Sequence, residues 1–526
     1  MSCVVEEHLV RMGDGVELYT LVQRPAEPGR YPVKLWRNPY VSREVDLESA
    51  RRAELRGYVH VSQHCRGCGR SGGDCIPYIN ERQDGLDTLA WLRRQPFYGG
   101  EVYPVGGSYL SSVHFSYLDT CPADVRGAVL PVQDCCRYNI LYRNGFFKAN
   151  LHGGWFVSMY RKNSGLTKSY APETFRTLPL AGVTSSIFGE RCAQLEEELA
   201  HPDPDDPFYA TPDGGVHYGR ALKELQAPVL LVTAFHDIYT EGILDMWDSL
   251  TPEQRRRCAL VVTPYEHNFN YNERNSPMHF PNAGLDEVDP NYAHEWIEHV
   301  RTGAPLSFIR PGETLYYTLW ENAWHHAPRL ADGPRTRTCT LLADRTLGEL
   351  GGPGGDITYV YNPYAPATFE GGCCNTFGGM RPQPAPNSRY DIVSFLGAPM
   401  TETTVIEGAM DVELTVRSDC PDTCFYVRLS AVKEGVAYGL RDDITSICRQ
   451  HPDYRPGETV RLRFHLAPHS FQLSPGDSLR LDVSSSCVPH YTVHTNRRGP
   501  QHLQTGADIA HNTIVAGAST LTWHER

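Results

Sequence analysis

The stretch "VYPVGGSYLSSVHF", residues 102–115, decides the fold, because it joins three kinds of local structure around one serine. β-Branched residues predict a strand, Gly106 and Gly107 predict a tight turn, and the segment after Ser108 is compatible with a helix. A strand, a turn and a helix with a serine at the corner is the arrangement of a nucleophile elbow. The usual pattern G-x-S-x-G fails here, since Leu110 stands where the second glycine belongs.

A literal G-x-S-x-G match lies elsewhere, at residues 69–73 around Ser71. It sits in the glycine-rich text "CRGCGRSGGD" after a strand, and no helix is predicted to begin at its serine. An elbow needs a glycine two residues before the serine, because strand and helix pack closely there, and Gly106 meets that need for Ser108. One position past the missing glycine, the small Ser111 still permits close packing. We therefore predict Ser108 as the nucleophile.

Length and charge limit what the chain can be. Its 526 residues exceed one compact core, so two or three domains are expected. A formal net charge of −13 argues against nucleic acid or an anionic membrane as the partner. The start "MSCVVEEHLVRMGDG" has no basic n-region, and no stretch approaches the about 20 apolar residues that span a bilayer. We predict a cytoplasmic protein whose sixteen cysteines are mostly reduced thiols.

The organisation of the chain changes twice. Residues 16–130 alternate between strand-like and helix-like segments, which predicts a mostly parallel sheet covered on both faces. Residues 140–225 hold aromatic-rich or amphipathic helical segments without a clear strand, which indicates a helical insertion. The sheet pattern then returns with two buried-strand runs and a closing helix that ends at Gly303, namely "APVLLVTAFHD", "RCALVVTPYEH" and "DEVDPNYAHEWIEHVRTG".

Short alternating runs, beginning with "TLYYTLW" and punctuated by Gly, Pro and Asp, fill the chain after about residue 305. About ten such strands predict a β-sandwich of the jelly-roll type. We therefore predict an α/β protein with an α/β-hydrolase core, an inserted helical cap and a C-terminal jelly-roll β-sandwich. The predicted bounds are 1–139 for the first part of the core, 140–225 for the cap, 226–305 for the second part of the core and 306–526 for the sandwich.

Three polar residues follow predicted strands in the order in which α/β-hydrolases carry a catalytic triad. Ser108 follows "EVYPV", Asp237 follows "VLLVTAF" and His267 follows "ALVVTPYE". A hydroxyl nucleophile needs a base to take its proton and a third group to orient that base. We predict Ser108 as nucleophile, His267 as base and Asp237 as the orienting carboxylate. The competing histidines, His64 and His236, follow no later strand and are predicted to have supporting or structural roles.

These residues carry a family resemblance over nearly the whole length. The chain resembles the cocaine esterase-like and X-prolyl dipeptidyl peptidase hydrolases, the CocE/NonD group. The elbow of that group is G-x-S-Y-x-G, which the chain matches from Gly106 to Ser111 except for the last glycine. Arg37-Asn38-Pro39-Tyr40 corresponds to the group's R-x-P-Y motif, and residues 66–73 correspond to R-G-x-G-x-S-x-G. The motif E-x-x-D-x-x-D-x-x-x-W is present as Glu81, Asp84, Asp87 and Trp91. The motif P-W-x-H corresponds to Pro264-Tyr265-Glu266-His267.

The sequence departs from the group at two further places. His64 stands where the group's glycine loop begins with aspartate, and only Asp237 remains of a G-W-x-D motif. The resemblance implies an oxyanion hole made by the Tyr40 hydroxyl and the backbone N–H of Tyr109. The residue after a nucleophile supplies such a donor in any elbow, at the positive end of the following helix. For Tyr40, a core aromatic beside a proline turn is the structural alternative.

We expect an ester to be cleaved through an acyl-enzyme without a cofactor, so the partner is a small-molecule ester, amide or short peptide. An X-prolyl dipeptidyl peptidase, or an acyltransferase or tailoring enzyme with the same triad, is the alternative within this chemistry. A binding protein with an inactive site and a carbohydrate-binding sandwich are alternatives of another class. The sequence leaves open a homo-oligomer. Aromatic cap residues are candidates for an apolar acyl pocket, or for the buried core of the cap: Phe146, Phe147, Trp155, Phe156 and Tyr160.

Two further patterns have competing interpretations. Cys65, Cys68 and Cys75, with His64 adjacent, have a spacing that could hold zinc. The loop between them belongs to the family pattern, in which such cysteines are not a motif, so free thiols and no metal are predicted. The acidic run "EEELAHPDPDD" is predicted as a solvated helix end, with capture of a substrate ammonium as the alternative.

Overall fold

The computed structural model describes residues 3–268, 278–373 and 378–526. The strands of the core and cap are β1 (Cys3–Arg11), β2 (Glu17–Pro25), β3 (Tyr31–Asn38), β4 (Val59–His64), β5 (Tyr98–Pro104), β6 (Ala128–Val129), β7 (Tyr142–Arg143), β8 (Phe146–Phe147), β9 (Val229–His236), β10 (Ala259–Glu266), β11 (Thr314–Thr318) and β12 (Ala323–Ala327). The α-helices are α1 (Leu47–Arg51), α2 (Glu81–Leu92), α3 (Tyr109–Leu118), α4 (Arg137–Leu141), α5 (Gly154–Met159), α6 (Val183–Phe188), α7 (Ala193–Ala200), α8 (Val216–Glu224), α9 (Thr240–Ser249), α10 (Pro252–Arg255), α11 (Leu285–Val288), α12 (Tyr292–Thr302) and α13 (Ile447–Gln450).

The core is one twisted sheet with the strand order β1-β2-β4-β3-β5-β6-β9-β10-β11-β12, in which a bridge between Val105 and Val129 joins the β5 and β6 segments. Its central strands are parallel, and antiparallel pairs occur only at the edges, among the described strands. All residues of β9 and β10 are buried, as expected for parallel strands covered on both faces. The predicted α/β fold is therefore confirmed. The carboxyl ends of β5, β9 and β10 lie at the same edge, which brings the residues after them together.

The core sheet extends further along the chain than the sequence indicated. We expected the sandwich to begin at residue 306 with "TLYYTLW" as its first strand. That run forms β11, which instead pairs parallel with β10, with Thr314 opposite Leu260, while β12 pairs antiparallel with β11. All five residues of β11 are buried, so this strand is covered like the rest of the core. Its short, alternating sequence resembles that of the sandwich strands. The sequence pattern therefore predicts too early a boundary between the core and the sandwich.

The closing helix is also divided. The text "DEVDPNYAHEWIEHVRTG" forms two helices, α11 and α12, separated at Asp289 and Pro290. A proline has no backbone N–H and cannot continue a helix, so the break follows from the sequence. Gly303 ends α12 in a left-handed conformation with φ of 77°, as predicted.

The inserted segment has its own buried core and covers the carboxyl edge of the sheet. α4 to α7 contribute to this buried core, whereas the buried residues of α8 pack in the core of the hydrolase domain. The short β7–β8 hairpin was not expected. The buried residues of this core are Tyr138, Leu141, Tyr142, Phe147, Ala149, Phe156, Val157, Tyr160, Phe175, Leu180, Val183, Ile187, Phe188, Cys192, Leu195 and Leu199.

The remaining strands form the predicted C-terminal β-sandwich. They are β13 (Arg335–Leu341), β14 (Thr346–Gly348), β15 (Gly355–Tyr361), β16 (Val393–Gly397), β17 (Thr404–Ser418), β18 (Cys424–Lys433), β19 (Val436–Ser446), β20 (Val460–Leu473), β21 (Ser478–Ser484), β22 (Ala510–Ala516) and β23 (Thr520–Glu525). The sandwich is attached to the core by Arg441, which donates hydrogen bonds to the carbonyls of Phe235 in β9 and of Ala467 and Pro468 in β20. No helix in the described residues is long and apolar enough to cross a bilayer.

Candidate active site

Ser108 lies at the corner between β5 and α3, in a strained backbone conformation with φ of 59° and ψ of −132°. Such conformations cost free energy and persist where the surrounding structure holds them. Gly106 explains the tightness of the turn, because a Cβ there would lie 2.5 Å from the Cβ of Leu110. Leu110 thus occupies the space that a larger residue at 106 would need. The corner has the geometry of a nucleophile elbow.

Ser111 replaces the last glycine of the elbow without leaving an unpaired group. Its hydroxyl donates to the carbonyl of Pro131 at 2.9 Å and lies in contact with the carbonyl of Gly106. Ser111 is fully buried, so these contacts hold the start of α3 against the loop that follows β6. The departure from the usual pattern is therefore compatible with an intact elbow.

The three residues predicted as a triad meet in one hydrogen-bonded chain. Nε2 of His267 lies 2.7 Å from Oγ of Ser108, and Nδ1 of His267 lies 2.7 Å from Oδ1 of Asp237. The second carboxylate oxygen of Asp237 accepts a hydrogen bond from Thr233 at 2.9 Å. Asp237 is 1% exposed, and the side chain of His267 is 14% exposed. The carboxylate of Asp237 is thus held in place and shielded from solvent, while the imidazole of His267 and the hydroxyl of Ser108 remain accessible.

Two donors stand beside Ser108. The backbone N–H of Tyr109 is at the first turn of α3, where N–H groups have no intrahelical acceptor. The Tyr40 hydroxyl contacts Ser108 and accepts a hydrogen bond from Nε1 of Trp155 at 2.9 Å. Although 44% of Tyr40 is exposed, its hydroxyl end is enclosed by the cap, and this burial raises the pKa of Tyr40 to about 12. The hydroxyl therefore keeps its proton at any ordinary pH.

The family motifs noted in the sequence form a buried polar layer behind the elbow. Arg37 is fully buried and donates to Gln63 at 3.0 Å and to the carbonyl of Glu81 at 2.8 Å. The side chain of Glu81 accepts a hydrogen bond from the hydroxyl of Tyr109, and burial raises the pKa of this carboxyl. Arg66 pairs with Asp84 at 2.6 Å. These residues hold α2 and α3 in place and do not face the triad.

Comparison with known families accounts for this arrangement. The family of X-Pro dipeptidyl-peptidases, S15, matches residues 14–268, and the C-terminal non-catalytic domain of X-Pro dipeptidyl-peptidases matches residues 320–521. The chain belongs to the CocE/NonD, X-Pro dipeptidyl-peptidase-like family of hydrolases. The resemblance seen in the sequence is thereby confirmed.

Relatives of this CocE/NonD hydrolase span its whole length. The cocaine esterase of Rhodococcus sp. (strain MB1 Bresler) is 22% identical over 94% of this chain and 93% of that protein. The solved structure of an α-amino acid ester hydrolase superposes with a TM-score of 0.81 at 18% identity, covering 100% of this chain and 97% of the other. An aminopeptidase from the marine sediment archaeon Thaumarchaeota archaeon gives a TM-score of 0.79 at 19% identity with the same coverage. At these identities the structural likeness shows the fold alone.

The competing residues lie elsewhere in this CocE/NonD hydrolase. Ser71 is buried, accepts from the N–H of Tyr19 at 2.9 Å and donates to the carbonyl of His64 at 2.8 Å. His64 accepts from the N–H of Arg70 at 3.1 Å, within the same loop. His236 contacts the carbonyl of Gly439 at 3.2 Å and so joins β9 to the sandwich. Each of these side chains supports a turn or an interface and none contacts Ser108.

Among the aromatic cap candidates for an acyl pocket, Trp155 alone reaches the site. Its ring packs against Tyr109 at 4.8 Å, and its N–H meets the Tyr40 hydroxyl. The other four are buried away from the triad. Phe147, Phe156 and Tyr160 belong to the cap core, and Phe146 packs into the sandwich cluster. The cap-core interpretation therefore holds for Phe147, Phe156 and Tyr160, whereas Phe146 joins the cap to the sandwich.

The cysteines and the acidic run also find places in the structure. Cys65, Cys68 and Cys75 are buried and unbridged, and the described residues contain no cluster able to hold a metal ion. Within the acidic run Glu197, Asp203 and Asp205 are exposed, but Glu198 contradicts the expectation of a solvated helix end. Glu198 is fully buried and pairs with Arg137 and with His152, the latter at 2.7 Å.

A cavity of about 80 Å³ lies where the core, cap and sandwich meet, lined in part by Asp237. Two of its carboxylates have resident cations: Glu241 pairs with Arg143, and Asp442 pairs with Arg428 at 2.8 Å. Asp134 and Asp245 line it as well, and burial raises the pKa of both carboxyls. The ammonium of Lys148 lies in the same cavity, near Glu241. The cavity is therefore polar, and its acidic side chains outnumber its basic ones: Asp134, Asp237, Glu241, Asp245 and Asp442 against Arg143, Lys148 and Arg441.

Sequence reasoning missed several residues that shape the site. Thr233 was not predicted as part of the site. It lies within "VLLVTAFHD", and a hydroxyl in an otherwise apolar buried strand was the signal that could have identified it. Glu198 shares a helical face with Leu195 and Leu199, and that spacing indicated burial. Tyr78 and Tyr239, which pack against Tyr109 and His267, stood in loops without any pattern.

Proposed function

We propose that this hydrolase cleaves carboxylic esters through a covalent acyl-enzyme on Ser108, with His267 as general base and Asp237 as the residue that orients it. The observation that carries this proposal is the unbroken hydrogen-bond chain from the Ser108 hydroxyl through His267 to Asp237, with both distances at 2.7 Å. The order and roles of these groups are those of a serine hydrolase triad.

In the first step Ser108 Oγ attacks the ester carbonyl carbon while His267 Nε2 takes the hydroxyl proton. The carbonyl oxygen becomes an oxyanion and accepts hydrogen bonds from the Tyr40 hydroxyl and the Tyr109 N–H. The tetrahedral intermediate then collapses, the bond to the alcohol breaks, and His267 returns its proton to the departing alkoxide. Water attacks the acyl-enzyme by the same route in reverse, releasing the acid and restoring Ser108.

Asp237 contributes by holding His267 rather than by taking a proton. Its Oδ1 accepts from Nδ1–H of His267, so the imidazole presents a lone pair at Nε2 to Ser108. Its Oδ2 is held by Thr233, which prevents the carboxylate from rotating away. A buried carboxylate next to a transient imidazolium also stabilises that charge.

An ester is preferred to an X-prolyl peptide because the relative that matches 94% of this chain is named an esterase. A dipeptidyl peptidase must bind a free α-amino group, and a cationic group needs an available carboxylate. In the cavity beside Asp237, Glu241 and Asp442 already pair with arginines, but Asp134 and Asp245 line the same cavity. The X-prolyl peptide therefore stays the alternative substrate. Comparing turnover of p-nitrophenyl acetate with that of Ala-Pro-p-nitroanilide tests this choice, and faster cleavage of the anilide would reverse it.

Labelling with a fluorophosphonate tests the nucleophile directly. We expect the wild-type chain to be labelled once, and the Ser108→Ala variant to be folded and unlabelled. Ser71→Ala is the matched control, because it removes the serine of the literal G-x-S-x-G text and leaves Ser108 in place. Labelling that survives in Ser108→Ala, or that disappears in folded Ser71→Ala, would contradict the proposal. Product analysis with added alcohols or amines separates hydrolysis from acyl transfer by the same triad.

A further inference from the structure

Two tyrosine rings lie beside the residues of the triad and the elbow. The ring of Tyr239 packs edge-on against the imidazole of His267, with ring centroids 5.7 Å apart. The ring of Tyr78 packs edge-on against Tyr109, the residue after the nucleophile, at 4.9 Å and against Trp155 at 5.8 Å. Each phenol thus adjoins a group that would contact the substrate during the reaction.

In the part of the chain that the structure describes, neither phenol hydroxyl is used. Within residues 3–268, 278–373 and 378–526, neither the Tyr78 hydroxyl nor the Tyr239 hydroxyl has a hydrogen-bond partner. Tyr78 is nevertheless only 6% exposed, and Tyr239 is half-buried. Hydroxyls in such positions are almost always hydrogen-bonded to protein, water or ligand. A polar atom of a bound substrate would supply the missing hydrogen-bond partner of both hydroxyls.

Tyr78 also has a backbone conformation that a tyrosine rarely adopts. Its φ of 71° lies in the left-handed region, where bulky residues are rare. Its N–H donates to the hydroxyl of Tyr109 at 2.7 Å, and the guanidinium of Arg137 lies 3.5 Å from the centre of its ring. Strained residues of this kind cluster at active sites and ligand contacts, because the surroundings must over-determine them. Here the surroundings fix the direction of the phenol.

The electrostatic surroundings make these phenols donors. Burial raises the pKa of Tyr239 well above its ordinary value, and Tyr78 and Tyr40 raise it further, so the hydroxyl proton is retained. Arg137 adds a positive group behind the Tyr78 ring. Although Arg137 pairs with Glu198, its Nε and Nη1 have no partner among the described residues. The group that these phenols can bind is therefore a hydrogen-bond acceptor.

We propose that Tyr78 and Tyr239 determine acyl specificity by donating hydrogen bonds to an oxygen acceptor on the acyl chain, beyond the scissile carbonyl. The substrates are then esters of oxygenated acids, with an ether, keto or carboxylate oxygen near the ester, in preference to esters of plain alkyl acids. This inference rests on the proposed acyl-enzyme at Ser108, since it concerns the same site.

The test compares two p-nitrophenyl esters of equal length, the methoxyacetate and the butyrate, which differ in one ether oxygen. The kcat/KM ratio of the two is measured for wild type, Tyr78→Phe and Tyr239→Phe, so that the intrinsic reactivity of the esters cancels between proteins. We expect each variant to lower the ratio about three- to tenfold, the value of one hydrogen bond, by slowing the methoxyacetate. Tyr209→Phe is the matched control, because its hydroxyl donates to the carbonyl of His201 within the cap at 2.7 Å.

The possible results distinguish failure of the specificity role from failure of the proposed function. A ratio that stays within about twofold of wild type in both variants overturns the specificity role. An equal fall for both esters also overturns it, since that pattern indicates a general loss of positioning. Both phenylalanine variants keep their rings, and fluorophosphonate labelling of Ser108 reports that each is folded. If Ser108 is not labelled even in the wild type, the proposed function itself fails.

Discussion

The indole N–H of Trp155, in the cap, donates to the hydroxyl of Tyr40, in the core, at 2.9 Å. An indole is a donor only, so the Tyr40 oxygen must accept, and its own proton is left free to point toward Ser108. A second cap contact, from Lys162 to the carbonyl of Pro39 at 2.9 Å, holds the same loop. The cap therefore sets the orientation of a residue that the core supplies.

Removing the Tyr40 hydroxyl tests the oxyanion role. We expect Tyr40→Phe to lower kcat about 10²- to 10³-fold for p-nitrophenyl esters, because a preorganised donor acts mainly on the transition state. KM should change little, since the ground-state carbonyl carries less charge. A loss in KM alone would indicate substrate binding rather than stabilisation of the oxyanion.

Removing the indole N–H tests the coupling between cap and core. Trp155→Phe keeps an aromatic ring against Tyr109 but leaves the Tyr40 hydroxyl free to rotate. We expect a loss in kcat of about three- to tenfold, the value of one hydrogen bond, when Tyr40 is present. In the Tyr40→Phe background the same substitution should have a much smaller effect. Equal effects in both backgrounds would show that the two residues act independently.

The pKa of Tyr40 makes a prediction about alkaline pH. Burial raises this pKa to about 12, so the protonated, donating form is lost only as the pH rises toward that value. The ratio of wild-type to Tyr40→Phe activity should therefore stay nearly constant from about pH 8 to about pH 11, across the ordinary tyrosine pKa of about 10. Parallel pH profiles of kcat/KM measure it. A ratio that collapses near pH 10 would mean that the hydroxyl ionises like an exposed phenol.

The buried cluster of Arg137, Glu198 and His152 is expected to stabilise the cap. Arg137→Met leaves Glu198 buried without its main cation, which should cost about 3–5 kcal/mol in the free energy of unfolding. The double variant with Glu198→Gln should recover much of that loss, because the uncompensated charge is gone. Urea denaturation of wild type, single and double variants measures both effects. A double variant no more stable than Arg137→Met would argue against charge as the cause.

The same cluster predicts acid sensitivity. Burial alone would raise the pKa of Glu198, but Arg137 and His152 outweigh it and the pKa is lowered. A carboxyl with a depressed pKa in the folded state contributes stability above its ordinary pKa of about 4.3, and loses that contribution as the pH falls through its folded value. We expect the stability difference between wild type and Glu198→Gln to shrink below about pH 4. A difference that is independent of pH would exclude this linkage.

Much of the candidate active site was predictable from the amino-acid sequence. Ser108, Asp237 and His267 each follow a buried strand. Because the carboxyl ends of parallel strands lie at one edge of the sheet, the local sequence pattern was enough to predict that these three residues meet. Cap residues were not predictable in this way. Trp155 and Phe156 are neighbours with similar chemistry, yet one contacts Tyr40 and the other lies in the cap core.

The sequence by itself determined the strand–turn–helix around Ser108, the order of the triad and the α/β character of the core, because these depend on local conformation and on hydrophobic periodicity. Only the tertiary structure decided that β11 belongs to the core sheet, that Glu198 is buried beside Arg137, and that Tyr78 and Tyr239 lie beside the residues of the triad and the elbow. Those outcomes depend on which distant surfaces cover a segment, and burial by a remote part of the chain leaves no periodic trace in the segment itself.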